Sequence, residues 1–124
     1  MTDNKQTIHK KIKSILSEFA SSNPQMRITK NGSELSAKNK ITLGKKEING
    51  MYFASVKIMK DFVGFYFFPV YCDPKLNAEI PANLKKCLKG KTCFHITKDD
   101  DEIYKSIKDL LNSGLKSFKK MGWV

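Results

Sequence analysis

Apolar positions recur in two rhythms along this chain, and the switches between them mark out its elements. From residue 6 to residue 21, Ile8, Ile12, Leu16 and Phe19 follow helical spacing, with Lys5, Lys10, Lys11 and Lys13 mostly elsewhere around the wheel, which predicts an amphipathic helix. Ser21, Ser22, Asn23 and Pro24 stop it. The period then falls to two. Met26 and Ile28 alternate with polar residues up to Asn31-Gly32, a pair that favours a tight primed turn, and Leu35 follows on the return arm of a short edge hairpin. A weaker third strand is predicted around Ile41 to Ile48, ended by a second Asn-Gly at 49 and 50 that leads directly into the centre of the chain.

That centre is GMYFASVKIMKDFVGFYFFPVY, residues 50 to 71, in which β-branched and aromatic residues surround one tight turn near Lys60-Asp61. It reads as a hairpin. Phe62, Phe65, Tyr66, Phe67 and Phe68 give its second arm apolar groups on both faces, as in a strand inside a covered sheet, and a strand over 62 to 70 is expected to be central, flanked on both sides and largely buried on the helix-facing surface. Pro74 and Pro81 exclude a long helix in the following connection, whereas Ala82 to Leu88 allows a short one ended by Gly90. Cys93 to Thr97 is a last strand, with Phe94 and Ile96 on one face and Cys93 and His95 on the other. Asp99 to Glu102 then place negative charge where a helix start favours it, and Ile103, Ile107, Leu110, Leu111, Gly114 and Phe118 continue one apolar face. The sum is an α+β protein, an antiparallel β-meander packed against an N-terminal and a C-terminal helix, as one domain over residues 1 to 124.

Composition narrows the class. Hydrophobic residues make up 40% and charged residues 28%, and no apolar stretch approaches the ~18 residues of a membrane span. The polar amino terminus has no apolar leader, and the three cysteines, Cys72, Cys87 and Cys93, lack framework spacing, so free thiols, a cytoplasmic location and no membrane partner are expected. A formal charge of +11 raises the question of a nucleic-acid partner. Against it, Arg27 is the single arginine and the lysines are spread over every segment, as on an ordinary solvated surface.

The segment YFASVKIMKDFVGFYF, followed after the connection by LKGKTCFHI, resembles the YdhG-like family of small bacterial domains of unknown function, which includes a frataxin-like putative iron chaperone. The resemblance rests on Tyr52, Phe53, Ala54 and Lys57, on Gly64, Phe65 and Tyr66, and on Lys89, Gly90 and Phe94, about a third of the chain. It implies an α/β sandwich with helices on an antiparallel sheet. The closing Gly-Trp-Val suggests a branch apart from the iron-chaperone members, whose Tyr-Gly-Met-Pro element has no counterpart at residues 34 to 50. Iron would also call for an exposed carboxylate ridge, and Asp99 to Glu102 is explained more simply as a helix start.

No catalytic motif is present, and no cofactor or metal is assigned. Cys93 and His95, with Cys72 and Cys87, supply zinc-type ligands in no zinc-type spacing, and two neighbours on one strand face lie ~7 Å apart, too far for a thiol-imidazole pair on a straight strand. Lys57, Tyr66 and His95 are the candidate ligand-binding residues, because each interrupts an apolar strand and they are expected to share one concave sheet surface. In this reading Lys57 shares a face with Phe53, Gly64 leaves room for a ligand or a close-packed helix, and Lys89 and Lys91 add donors around Gly90. A half-solvated sheet face accounts for the same residues without a ligand. The functional expectation is a non-enzymatic module for a small anionic ligand or a chaperone-like role, with a basic nucleic-acid binder or a frataxin-like iron chaperone as alternatives.

Overall fold

The computed structural model describes residues 4–21 and 24–124. Helix α1 (Asn4–Phe19) begins and ends two residues earlier than its predicted bounds, and the predicted stop at Ser22 and Asn23 lies outside the described residues. Five strands follow: β1 (Gln25–Ile28), β2 (Gly32–Ser36), β3 (Lys40–Leu43), β4 (Lys46–Asn49) and β5 (Tyr52–Ile58). After β6 (Val63–Phe67) come the short helices α2 (Pro69–Cys72), α3 (Pro74–Ala78) and α4 (Ala82–Lys85). The chain closes with β7 (Leu88–Lys89), β8 (Cys93–Ile96) and α5 (Asp101–Lys120). The result is an α+β fold with a six-stranded antiparallel sheet ordered β1-β2-β5-β6-β8-β7.

Strand β6 is interior, between β5 and β8, and Val63, Phe65 and Phe67 are fully buried. Three expectations about this region change. The strand ends at Phe67 rather than 70, because Pro69 has no N–H to continue a ladder and instead opens α2. Residues 40–49 form two strands that, among the described residues, pair only with each other, with Gly44 at φ +62° in their turn, so β2 and not this segment lies next to β5. The Asn31-Gly32 turn is not primed, since neither residue has positive φ; Gly32 is needed instead because a Cβ there would sit 1.8 Å from the Val56 carbonyl oxygen. In the connection, α4 stops at Lys85, and Leu88 and Lys89 pair with β8.

Both long helices lie on one side of the sheet. Ile8, Ile12 and Leu16 of α1 are fully buried across β2, β5 and β6, and α5 lies beside α1 with Ile107, Leu111 and Phe118 fully buried. The ion pair Glu18–Lys108 links the two helices, and Lys11–Asp99 ties α1 to the residues just before α5. Exposed as they are, such pairs add at most ~1 kcal/mol each, so the apolar seam sets the packing. The acidic run serves the helix start: Asp100 is the N-cap of α5, accepting from the Glu102 N–H at 2.9 Å, and Asp99 accepts from Tyr104 and Lys11. Trp123 packs edge-on against Phe118, with ring centroids 5.0 Å apart.

A β-bulge between Leu35 and Ser36 decides what the other side of the sheet carries. Leu35 is opposite Ala54 and Ser36 opposite Tyr52, which leaves Phe53 unpaired and free to turn inward onto Phe67 and Phe118. Phe53 therefore does not share a face with Lys57, as simple alternation predicted. No helix among the described residues is long and apolar enough to cross a membrane.

Candidate functional site: the open face of the sheet

Register assembles the site. Lys57 of β5 is opposite Gly64 of β6, and Gly64 is opposite His95 of β8, so lysine, glycine and histidine form one row across three strands. The next row on the same face is Glu34, Ser55, Tyr66, Cys93 and Lys89. Lys57 and His95 are thus two strand spacings apart, about 10 Å. On this face Glu34, Tyr52, Lys57, Tyr66, Cys93 and His95 are all partly open to solvent, whereas Val56, Phe65, Phe94 and Ile96, which alternate with them, are sealed under the helices. Strand β6 is thus buried on its helix-facing side, as expected, while Phe62 and Tyr66 on its other side are partly open to solvent.

Tyr66 folds back along its own strand. A Cβ added to Gly64 would lie 2.8 Å from Tyr66 Cε1, so the room expected at the glycine is filled by this ring. The Lys57 ammonium lies 5.5 Å from the ring centroid. His95 stacks on Phe62 with centroids 3.7 Å apart and planes 10° from parallel. Tyr52 closes the site on one flank, with its hydroxyl hydrogen-bonded to the buried Ser55 hydroxyl. Ring contacts continue from Tyr52 to Phe68 at 6.3 Å and on to Tyr71 at 5.8 Å.

Burial sets the protonation of the hydroxyls and the thiol. It raises the Tyr66 phenol, with Cys93 adding to the effect, and it raises the Cys93 thiol, partly offset by contact with the Tyr66 hydroxyl. Tyr52 is raised by burial despite its bond to Ser55. These groups are neutral near pH 7, so the face offers planar rings, hydroxyls and ammonium groups rather than an activated nucleophile. His95 is not among the groups that perturb Cys93, and its ring is engaged by Phe62. Among the described residues no three His, Cys, Asp or Glu side chains come together in a way that could hold a metal ion.

Of the residues singled out from sequence, Lys57, Tyr66, His95 and Lys89 share this face. Lys91 does not join them. Its ammonium lies 5.2 Å from the centroid of the Tyr71 ring, in a separate cavity of about 400 Å³ walled by Val70, Pro74, Asn77 and Leu88. Ser55 joins this face by simple alternation with Lys57, whereas the place of Tyr52 depends on the bulge, which no local motif announces. The fold and site define a class, a two-layer α+β sandwich with one uncovered, ring-bearing sheet face. The chain matches no protein-family model, no curated protein and no solved structure.

Proposed function

We propose that the protein is a cytoplasmic, non-enzymatic binding module of the YdhG-like type that holds a small anionic ligand on its open sheet face. The observation that carries this reading is the register placing Lys57, Tyr66, His95 and Lys89 in two adjacent rows on the side without helices. Lysines flank rings there, and the one carboxylate in these rows, Glu34 of β2, stands opposite Arg27 of β1. The Lys57–Tyr66 and Phe62–His95 contacts hold the polar groups in place before a ligand arrives, which lowers the ordering cost of binding. An iron-chaperone role draws less support, because Asp99 and Asp100 are engaged at the start of α5.

Phenyl phosphate, which combines a ring with an oxyanion, is the probe. Titration followed by the ring signals of the two histidines should shift His95 saturably and leave His9 unmoved. Lys57→Gln should weaken the interaction about tenfold, as expected for loss of one charge-assisted contact. A His95 signal that does not move, or moves equally in the variant, counts against this reading. One observation favours a second, single-stranded nucleic acid: Tyr71 is 56% exposed at the end of the ring series, beside Lys91. For that reading Tyr71→Ala should cost ~1 to 3 kcal/mol of oligonucleotide affinity, whereas a dispersed lysine surface would give only weak binding lost at moderate salt.

A further inference from the structure

The sheet has a second recognition element, remote in kind from the open face: its free edge at β1. Among the described residues strand β1 pairs with β2 alone, so its outer backbone groups have no strand partner there, and Gln25, Arg27 and Ile28 are exposed, Ile28 to 65%. Edges of this kind are templates for another extended segment.

Two cavities flank this strand, one on each side of the sheet. On the helix side, a cavity of about 440 Å³ lies between His9 and Lys13 of α1 and the β1–β2 turn with Ile28, Thr29 and Lys30. On the other side, a cavity of about 450 Å³ is walled by Gln25, Arg27, Ser36 and Asn49. Successive side chains of a strand point to opposite faces, so a segment paired with β1 would present its residues alternately to these two cavities. No acidic side chain among the described residues lines either one, and the nearest carboxylate to Arg27 across the strand pair, Glu34, forms no ion pair with it. Arg27, Lys13 and Lys30 form no ion pair among the described residues, and two polar atoms in the helix-side wall, His9 Nε2 and Thr29 Oγ1, are buried without a hydrogen-bond partner. Buried polar groups are normally satisfied, and among the described residues no protein group satisfies these two.

We propose that β1 accepts an extended acidic peptide segment by β-strand addition, with carboxylates reaching Arg27 on one face and Lys13 and Lys30 on the other. A second copy of this chain fits poorly as occupant, because its own charge is +11 and it would bring the same cations to the edge. The exposed Ile28 supplies an apolar contact beside the charges. Backbone pairing gives the affinity, and the alternating pockets give the preference for acidic residues.

The test uses the full chain and a fluorescent nonapeptide of alternating glutamate and valine. We expect saturable one-to-one binding, slowed amide exchange confined to residues 25–28, and a loss of about tenfold or more when alternate peptide nitrogens are methylated. Arg27→Gln and Lys30→Gln should each weaken binding about threefold without altering the melting temperature. The proposal is overturned if the methylated peptide binds as tightly as its parent, if no binding occurs at low salt, or if an oligonucleotide protects the same amides and displaces the peptide. A His95 signal that stays still throughout keeps this edge distinct from the open face; a peptide that moves His95 while leaving the β1 amides unprotected overturns the edge as its site.

Discussion

The two faces of the central sheet are built from alternate residues of the same strands, yet their rings are held in different ways. On the covered face, rings touch in series from Phe118 to Phe53, Phe67, Phe65 and Phe94, with centroid separations of 5.1, 5.7, 5.9 and 5.7 Å. All five are fully buried, and α1 and α5 close over them. On the open face each ring finds a local partner: Tyr66 lies on Gly64 beneath Lys57, and Phe62 lies on His95. A ring of the first kind cannot move without moving a helix, whereas one of the second kind can turn out into water. Stability is therefore concentrated on one face, and freedom to admit a ligand on the other.

Adjacent residues of β6 give the largest contrast. Phe65→Ala should cost ~3 to 5 kcal/mol, because a fully buried ring leaves a cavity that two helices and a sheet cannot close. Tyr66→Ala, on the half-open side, should cost about 1 kcal/mol. Urea unfolding of both variants measures the difference directly. Equal losses would mean that the open face is as firmly packed as the covered one.

A matched pair of glycines sharpens the same point at smaller scale. A Cβ at Gly114 of α5 would fall 2.3 Å from Cζ of Phe67 and 3.1 Å from Pro69, both buried, so Gly114→Ala should destabilise by ~1 to 3 kcal/mol despite alanine's better helix propensity. At Gly64 the obstacle is the Tyr66 ring, which can swing outward. Gly64→Ala should therefore cost under ~1 kcal/mol while displacing Tyr66 from Lys57, visible as a changed tyrosine ring environment in the NMR spectrum. A large loss at Gly64 would show that the ring is locked.

What could be read from the chain follows the same division. The covered face was legible because burial enforces periodicity: Ile8, Ile12 and Leu16, then Ile103, Ile107 and Leu111, stand at helical spacing and are buried, and Phe94 and Ile96 are inward as alternation requires. The composition of the open face was partly legible, since Lys57, Tyr66 and His95 do share it. Its packing was not. The bulge that sends Phe53 inward, the folding of Tyr66 onto Gly64 and the self-pairing of residues 40–49 each depend on contacts between segments rather than on local pattern. Lys91 lies apart from Lys89, against Tyr71, because closeness in sequence does not survive the turn at Gly90, where φ is +81°.

The smallest effect lies at the margin of the covered layer, where His9 of α1 meets the β1–β2 turn. Burial, followed by the nearby Lys13 charge, lowers the pKa of His9 from its ordinary 6.5. Lys30 of the turn also lines this cavity, and among the described residues no carboxylate does. In the unfolded chain His9 takes up its proton near 6.5, while in the folded chain it resists protonation to lower pH. Between those two values the unfolded state binds more protons, so the folded state loses stability as pH falls through this window. Above about pH 7 His9 is neutral in both states and contributes no slope. His9→Gln removes the titration, so its melting temperature should fall less than that of the parent between pH 7 and pH 5, with the two curves parallel above pH 7. Parallel curves over the whole range would show that this end of the covered layer is already as wet as the open face.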